Sequence, residues 1–196
     1  MIDYIKGEIE EISPTLMIME CNGIGYELNI SLTTYSAFNG HKDGKIYVYE
    51  VIREDAHILF GFATREEREL FLLLTSVSGV GPNTARMILS SLPPSELINV
   101  IASGDDVSLT SVKGIGNKTA QRIVVDLRSK VKTVEGIGEK SKKIQGGRSE
   151  TAEGAVAALV MLGFQKAASQ KAVDKIIEKS PSISVEQVIK DALKML

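Results

Sequence analysis

Two short glycine-containing segments carry the residue types that could bind a phosphate. A sixteen-residue pattern occurs twice, as VSGVGPNTARMILSSL from Val77 and as VKGIGNKTAQRIVVDL from Val112. Each copy places Gly-hydrophobic-Gly immediately before a predicted helix. Glycine allows positive φ angles and a close backbone approach, and a helix N-terminus offers unpaired N–H groups and the positive end of its dipole. The pattern therefore predicts two helix-hairpin-helix sites that bind a nucleic-acid backbone without reading bases.

These two segments define the residues predicted to contact the DNA backbone. The copies match at the valine, both glycines, the Thr-Ala pair and the apolar positions that a helix would bury, as expected of an internal repeat. The apolar residue between the glycines is expected to pack into the core of its own hairpin. The predicted contact residues are Gly79, Val80, Gly81, Asn83, Thr84, Arg86, Gly114, Ile115, Gly116, Asn117, Lys118, Thr119 and Arg122.

The same residues have other interpretations. A Gly-x-Gly can cap a tight helix–helix turn with no ligand, and Arg86 and Arg122 can be ordinary solvent-facing helix residues. A nucleotide-binding P-loop fits poorly, because Asn117 stands where it needs a glycine before Lys-Thr and Val112 stands where its first glycine belongs. We therefore predict no ATP site and no cofactor in this chain.

A pair of carboxylates forms the second candidate site. Glu54 and Asp55 lie before the last predicted strand, at the expected tip of a hairpin. Metal-ion nuclease chemistry requires several convergent carboxylates, and nothing else in the sequence has ligand spacing. The pair is either a solvated turn or an electrostatic wedge that repels duplex phosphates within a Debye length of about 10 Å. We predict no catalytic residue and no metal site, and three other reactive side chains are isolated: Cys21, His41 and His57.

Composition and charge distribution agree with a DNA-binding function. The chain is 43% hydrophobic and 24% charged, with a formal net charge of −2. Residues 1–64 carry four Lys/Arg against ten Asp/Glu, whereas residues 65–148 carry thirteen against nine. The basic excess therefore falls on the segment with both hairpins, and acidic surface elsewhere would limit the contact. No apolar run is long enough for a membrane span and the N-terminus is not a signal peptide, so we expect a cytoplasmic protein.

The elements that must position these residues indicate an α+β, multidomain fold. Five short strands with a helical interruption near Leu32–Phe38 predict an OB-type β-barrel, and Asn22-Gly23 predicts a type I′ turn between two of them. The predicted domains are an OB-type barrel at 1–63, an all-α tandem helix-hairpin-helix domain at 64–132, a flexible linker at 133–150 and a small three-helix bundle at 151–196.

Local signals set the expected helix ends. Thr64–Glu67 and Ser184–Gln187 have the form of capping boxes, and Gly163-Phe164 is expected to end the first helix of the bundle. A third Gly-Ile-Gly at 136–138 has no amphipathic helix after it and is assigned to a loop. One apolar face of the bundle can be either core or interface and is expected to be mostly core: Leu159, Leu162, Phe164, Val188 and Leu193.

The order of these motifs resembles the RuvA family over essentially the whole chain. The resemblance is carried by REDA in the barrel, GVGPNTA and GIGNKTA in the hairpins and ALVMLGF at the start of the bundle. It implies a non-catalytic subunit that recognises four-way (Holliday) DNA junctions in recombination and repair. It further implies a homotetramer, with one or two tetramers on each junction, and an acidic pin formed by Glu54 and Asp55 at the junction centre, with Arg53 beside it as a junction-facing candidate.

The resemblance also implies protein partners and shows departures from the family pattern. Residues 151–196 would bind a hexameric RuvB-type ATPase, and a RuvC-type junction resolvase is a further candidate partner. RuvA hairpin loops often carry lysine where this chain has Asn83, and a Lys-Lys pair where it has Asn117-Lys118. Fewer cations predict a shallower salt dependence of DNA binding.

Two other classes of function compete with this interpretation. A helix-hairpin-helix nuclease or glycosylase would use the hairpins only to anchor DNA and would need a catalytic group nearby, for which Asp126 is the one candidate carboxylate. A protein scaffold would use the hairpins for packing alone and would have no affinity for DNA.

Overall fold

The described part of the chain falls into two units. The computed structural model describes residues 1–131, 134, 148–180 and 183–196. One unit lies within Met1–Ser141 and the other within Lys142–Leu196. The predicted linker at 133–150 lies outside the described residues except at 134 and 148–150, and the third Gly-Ile-Gly lies wholly outside them.

The N-terminal part of the first unit is a closed five-stranded barrel. Its strands follow the order β1-β2-β3-β5-β4, with β3 and β5 parallel and the other pairs antiparallel. Alternate residues face inward and are buried, Met17 and Met19 of β2 among them, so each short strand supplies one apolar row to the core. The elements are β1 (Tyr4–Ser13), β2 (Leu16–Cys21), β3 (Ile24–Ile30), α1 (Leu32–Phe38), β4 (Asp43–Ile52) and β5 (His57–Phe62).

The predicted hairpin turn and the predicted barrel are both confirmed. Asn22 and Gly23 have φ angles of 52° and 79°, the positive values that a type I′ turn requires at both central residues. The turn joins Cys21 to Ile24, which are paired at the ends of β2 and β3. The helical interruption lies at Leu32–Phe38, as expected.

In its described residues, the first unit contains five more helices, which share one apolar core. The two copies of the repeat contribute equivalent buried residues to it: Val80 with Ile115, Ala85 with Ala120, Ile88 with Ile123, and Leu92 with Leu127. The pattern that the sequence repeats is therefore mainly the pattern that packs. The helices are α2 (Arg65–Thr75), α3 (Pro82–Ser91), α4 (Pro94–Ser103), α5 (Asp106–Thr110) and α6 (Asn117–Leu127).

A buried carboxylate joins the barrel to these helices. Glu67 of α2 is 1% exposed and accepts hydrogen bonds from the Ser31 hydroxyl, the Thr34 hydroxyl (2.7 Å) and the Ala63 backbone N–H (3.1 Å). Burial raises the pKa of the Glu67 carboxyl, while these three donors favour the ionised form. The predicted capping box is thus only half formed, because Thr64 accepts from the Glu67 N–H but the Glu67 side chain binds α1 and Ala63 instead.

The described residues of the second unit form three helices around a core of their own. They are α7 (Arg148–Met161), α8 (Lys166–Lys179) and α9 (Val185–Leu193). Gly163 has a φ of 97°, and the Phe164 N–H donates to the Leu159 carbonyl oxygen at 3.1 Å, so the predicted end of α7 is confirmed. No described helix has both the length and the apolar composition that a membrane crossing requires.

Two expectations for this unit need correction. Ser184 caps α9, but the Gln187 side chain donates to Asp191 at 3.0 Å rather than back to the cap, because Asp191 lies one turn away on the same face. Leu162 and Leu193 are 61% and 43% exposed, so they lie at the surface and not in the core. Both stand near the end of a helix, where the neighbouring helices no longer cover them.

Candidate nucleic-acid interface

The two glycine-containing turns have the same backbone conformation. The first glycine of each, Gly79 and Gly114, has a φ of 92° and 90°. In each turn the residue between the glycines donates its N–H to the valine three residues earlier, at 3.0 Å. The side chains of Val80 and Ile115 are buried in the core, as predicted, so only their backbone is available to a ligand.

The second glycine of each turn leaves an open helix N-terminus. Gly81 and Gly116 are the N-cap residues of α3 and α6, with φ angles of −85° and −86° and no side-chain capping bond. A Cβ atom built on either glycine would meet nothing within 4 Å. Since these φ angles suit any residue, the fold itself does not require glycine here. An unobstructed surface over a helix N-terminus is what a closely bound phosphate needs.

Unpaired donors surround both N-termini. The first helical hydrogen bonds are donated by the N–H groups of Ala85 and Ala120 to the two N-cap carbonyl oxygens, at 2.9 and 3.0 Å. The N–H groups before them have no acceptor within their own helix. In α3 these belong to Asn83 and Thr84, because Pro82 has no N–H. The corresponding donors of α6 are those of Asn117, Lys118 and Thr119. The side chains of Asn83, Asn117 and Lys118 are exposed.

The two hairpins contact each other through equivalent positions of the repeat. Arg122 occupies in the second copy the position that Met87 occupies in the first. The Arg122 Nη1 donates to the carbonyl oxygen of Ser78 in the first turn at 3.1 Å, and the Met87 methyl lies 3.6 Å from the Cβ position of Gly114 in the second turn. Each helix therefore reaches the turn of the other, which fixes the spacing between the two open N-termini.

Arg86 lies against the barrel. Its Nη1 donates to the carbonyl oxygen of Thr15 at 3.2 Å and to the Oδ1 of Asn29 at 3.0 Å. Burial lowers the pKa of the Arg86 guanidinium from its ordinary value. The structure thus gives this side chain a protein partner, and its expected contact with DNA stays a prediction. Sequence patterns do not point to Asn29, because no local pattern links residues that are 57 positions apart.

The acidic residues lie at the tip of the β4–β5 hairpin. Ile52 and His57 are the last paired residues, and the Arg53 N–H donates to the Ala56 carbonyl oxygen at 2.8 Å, which closes a tight turn. Arg53, Glu54 and Asp55 are exposed. Within the described residues, neither acidic side chain of this turn forms a salt bridge. Two exposed carboxylates without a salt bridge among the described residues therefore lie at the tip of this hairpin.

The base of this turn holds another carboxylate, which has hydrogen-bond partners within the protein. Glu50 of β4 binds the Ile2 N–H, and its Oε2 lies 3.0 Å from the Nε2 of His57. These hydrogen bonds, the one from Ile2 first, lower the pKa of the Glu50 carboxyl. Glu50 is thus bonded within the protein, whereas Glu54 and Asp55 at the tip are exposed. Among the residues with described positions, no three His, Cys, Asp or Glu side chains are grouped as metal ligands, and Asp126 is an exposed residue of α6.

Comparisons with known protein families match three consecutive segments. Residues 1–61 match the RuvA N terminal domain, residues 71–130 match the SAM-like Helix-hairpin-helix tandem, and residues 151–196 match the RuvA C-terminal domain. The matched segments contain the barrel, both hairpins and the three C-terminal helices.

Curated relatives match over their full length. A protein of Parabacteroides distasonis is 69% identical over 196 residues, and proteins of Bacteroides thetaiotaomicron and Porphyromonas gingivalis are 54% and 49% identical, with 100% of each chain covered. All three are named Holliday junction branch migration complex subunit RuvA, and none carries the name of a nuclease or glycosylase. That alternative is therefore not favoured, and the chain belongs to the RuvA family.

Proposed function

We propose that this chain is the non-catalytic DNA-binding subunit of a branch-migration complex, and that it recognises four-way (Holliday) junctions by shape. The observation that carries the proposal is the pair of open, uncapped helix N-termini in one folded unit with an exposed acidic turn. The names of the full-length relatives support the same function.

The two hairpins would bind neighbouring phosphates of one duplex arm. Their N-cap glycines leave room for a phosphate, and the first-turn N–H groups and helix dipoles favour its negative charge. Lys118 is the exposed cation at the second N-terminus, whereas Asn83 supplies only an amide at the first. Because backbone donors carry no sequence information, the contact would be independent of sequence.

The acidic turn would exclude uninterrupted duplex and separate strands at the junction centre. Glu54 and Asp55 have no neutralising partner among the described side chains, so they would repel phosphates that come within about 10 Å. Arg53, at the start of the same turn, is exposed and would contact a strand as it leaves the centre. A junction, which is open at its centre, would avoid the repulsion that a continuous helix meets.

A homotetramer fits the symmetry of this DNA. A four-way junction has four arms, so four copies of the chain would place one hairpin pair on each arm and four acidic turns around the centre. The proposal has two further forms. A second tetramer would bind the opposite face of the junction, or a RuvC-type resolvase would bind that face instead.

The C-terminal unit would bind a hexameric RuvB-type ATPase, which supplies the ATP hydrolysis. Exposed apolar side chains support this assignment, because a group of such side chains on the surface often marks a site of contact with another protein. At the end of α7, Met161 and Leu162 are 89% and 61% exposed, and at the end of α9 the exposed apolar residues are Leu193, Met195 and Leu196. We further propose that the protein acts in the cytoplasm.

A competition gel-shift assay tests the proposed DNA substrate. A labelled four-way junction is bound at fixed, moderate salt and competed with linear duplex of the same arm sequence, while the mass of the free protein is measured in solution. We expect a strong preference for the junction and a tetramer or larger assembly. Equal affinity for the two DNAs, or a monomer, would contradict the proposal.

A second assay separates this function from nuclease activity. The labelled junction is recovered from the shifted complex after incubation with Mg²⁺ or Mn²⁺. Intact DNA is expected of a non-catalytic subunit. Cleaved DNA would favour a helix-hairpin-helix nuclease instead.

A further inference from the structure

The guanidinium of Arg86 is held by the barrel although Arg86 belongs to the helix of the first hairpin. It donates to the Thr15 carbonyl oxygen in the β1–β2 turn and to the Asn29 Oδ1 in β3. The side chain is only partly exposed. An arginine that already binds two acceptors on another element has little of the freedom that a phosphate contact would require.

Asn29 continues this contact to the strand that follows the acidic turn. Its Oδ1 accepts from Arg86, and its Nδ2 donates to the carbonyl oxygen of Leu59 at 3.4 Å. Leu59 lies in β5, two residues after His57, where the β4–β5 turn ends. Because the oxygen and the nitrogen of the amide each have a partner, the orientation of Asn29 is defined. A chain of hydrogen bonds therefore runs from α3 to the strand next to the acidic turn.

Asn29, Leu59 and His57 line one groove together with Asn83. It has a volume of about 320 Å³ and is bordered by the start of β5, by β3 and by the first turn of α3. Asn83, one of the proposed phosphate-binding residues, faces this groove together with Asn29 and His57. The first turn of α3 and the start of β5 thus border the groove that Asn29 lines, and Arg86 of α3 binds the same Asn29.

Junction recognition depends on the distance between these two features. The hairpins attract phosphates of an arm, and the acidic turn repels phosphates near the centre. Because this repulsion decays over about 10 Å, a small displacement of one feature against the other changes which DNA shape fits. We propose that Arg86 is a positioning residue, which acts through Asn29 to fix the first hairpin relative to the acidic turn and thereby sets the preference for a four-way junction over linear duplex. This inference rests on the proposed function.

The salt dependence of binding distinguishes positioning from phosphate binding. A side chain that neutralises a phosphate releases a counterion, so its removal makes the slope of log K against log salt shallower by about one for each phosphate that is no longer neutralised. Removal of a positioning residue changes the relative affinities for two DNA shapes and leaves the duplex slope unchanged.

The variants are Arg86→Leu, Asn29→Ala and the double variant, measured in the full-length protein. Affinities for the junction and for duplex of the same arm sequence are determined over a series of salt concentrations, and circular dichroism reports helix content and the thermal midpoint. Arg128→Leu is the matched control, because Arg128 donates to the Ala102 carbonyl oxygen and so braces two helices without touching the barrel. Lys118→Gln is the reference for removal of a phosphate-binding cation.

We expect Arg86→Leu and Asn29→Ala each to lower the junction-to-duplex preference by about tenfold. The salt slope of duplex binding should stay the same as in the wild type. The double variant should lower it no more than either single variant, because both break the same connection. Arg128→Leu should keep the full preference, and Lys118→Gln should show the shallower slope.

Three results would overturn the inference. The first is a shallower slope with unchanged preference in Arg86→Leu, which would make Arg86 a phosphate ligand. The second is an additive decrease of the junction-to-duplex preference in the double variant. The third is a full preference in Asn29→Ala. Because this variant retains the arginine, it decides the question if Arg86→Leu does not fold. A wild-type protein without any junction preference would instead refute the proposed function itself.

Discussion

The two glycines of each hairpin turn have different physical roles. Gly79 and Gly114 have φ angles near 90°, which L-residues adopt only with strain, so the turn itself requires glycine there. Gly81 and Gly116 have ordinary φ angles and open space around the Cβ position, so the fold would accept another residue. At these second positions glycine has only its modest preference as an N-cap residue, and a ligand that approaches the backbone closely would give it a further advantage.

This difference leads to opposite expectations for alanine substitutions. Gly81→Ala and Gly116→Ala should keep helix content and thermal midpoint near those of the wild type and lower DNA affinity by about tenfold, because a methyl group would obstruct charge-assisted hydrogen bonds to phosphate. Gly79→Ala should destabilise the fold by about 1 kcal/mol, the cost of a left-handed conformation. Circular dichroism and gel-shift titration measure both quantities. A protein scaffold would show no DNA affinity even as wild type.

The acidic turn can be neutralised without disturbing its hairpin. Glu54→Gln with Asp55→Asn keeps the shape of both side chains and removes the repulsion, so affinity for linear duplex should rise while affinity for the junction changes less. The junction-to-duplex preference is measured by competition at low and at high salt, and the effect should shrink as salt screens the charges. An unchanged preference at low salt would show that the carboxylates are merely solvated.

Among the elements, α2 joins the two parts of the first unit through Glu67. The carboxylate accepts hydrogen bonds from Ser31, Thr34 and Ala63. Phe71, one turn later in α2, packs against the aromatic rings of Tyr49, Phe60 and Phe62 with centroid distances of 4.9–5.6 Å. A buried charge without a cation is costly unless hydrogen bonds satisfy it. Here three donors do so, and they fix the orientation of α2 on the barrel.

Glu67 should give the stability a specific pH dependence. Its pKa is raised in the folded state, so the folded protein binds this proton more tightly than the unfolded chain, whose pKa is near 4.5. The resulting stabilisation is fully present below pH 4.5 and is lost as the pH rises through the folded pKa. Urea unfolding of wild type and Glu67→Gln over this range measures it. The stability of the wild type relative to the variant should fall with rising pH, and a constant or increasing difference would contradict the assignment.

At the scale of the whole molecule, two separate cores indicate two independent tasks. Among the described residues, the buried apolar residues of the second core all lie within α7, α8 and α9, and Phe164 and Ile183 pack against them from the connecting segments. The barrel and the hairpins share apolar and hydrogen-bond contacts, so the proposed attraction and repulsion of DNA would belong to one folded body. The proposed DNA recognition and partner recruitment should therefore be separable by mutation.

The exposed apolar end of α7 provides that separation. Met161→Ser with Leu162→Ser should leave the thermal midpoint and junction affinity within error of the wild type, because both side chains are largely exposed, and should abolish stimulation of a RuvB-type ATPase on junction DNA. Ile24→Ser, at a 57% exposed position of the barrel, is the control for removal of apolar surface. Normal stimulation in the double variant would place the partner surface elsewhere.

Much of the fold and part of the site could be predicted from local sequence. Asn22-Gly23 specifies its turn because few other residues adopt positive φ at both positions, and the repeated Gly-x-Gly specifies two equivalent hairpins. The hydrogen-bond partners of the Glu67 and Gln187 side chains could not be predicted in the same way. Both stand where a capping box would use them, yet each finds a partner elsewhere, Glu67 on a different element and Gln187 on the next turn of its own helix.

By itself, the sequence determined the order of strands and helices, the burial of Val80 and Ile115 between their glycines, and the position of the acidic pair at a hairpin tip. All three depend on residues that are close together in the chain. Only the tertiary structure decided where the long side chains lie. Arg86 lies on the barrel and Arg122 on the opposite turn because their acceptors come from residues 57 and 44 positions away. A flexible charged side chain takes the best acceptor within its reach, and folding alone determines which acceptors those are.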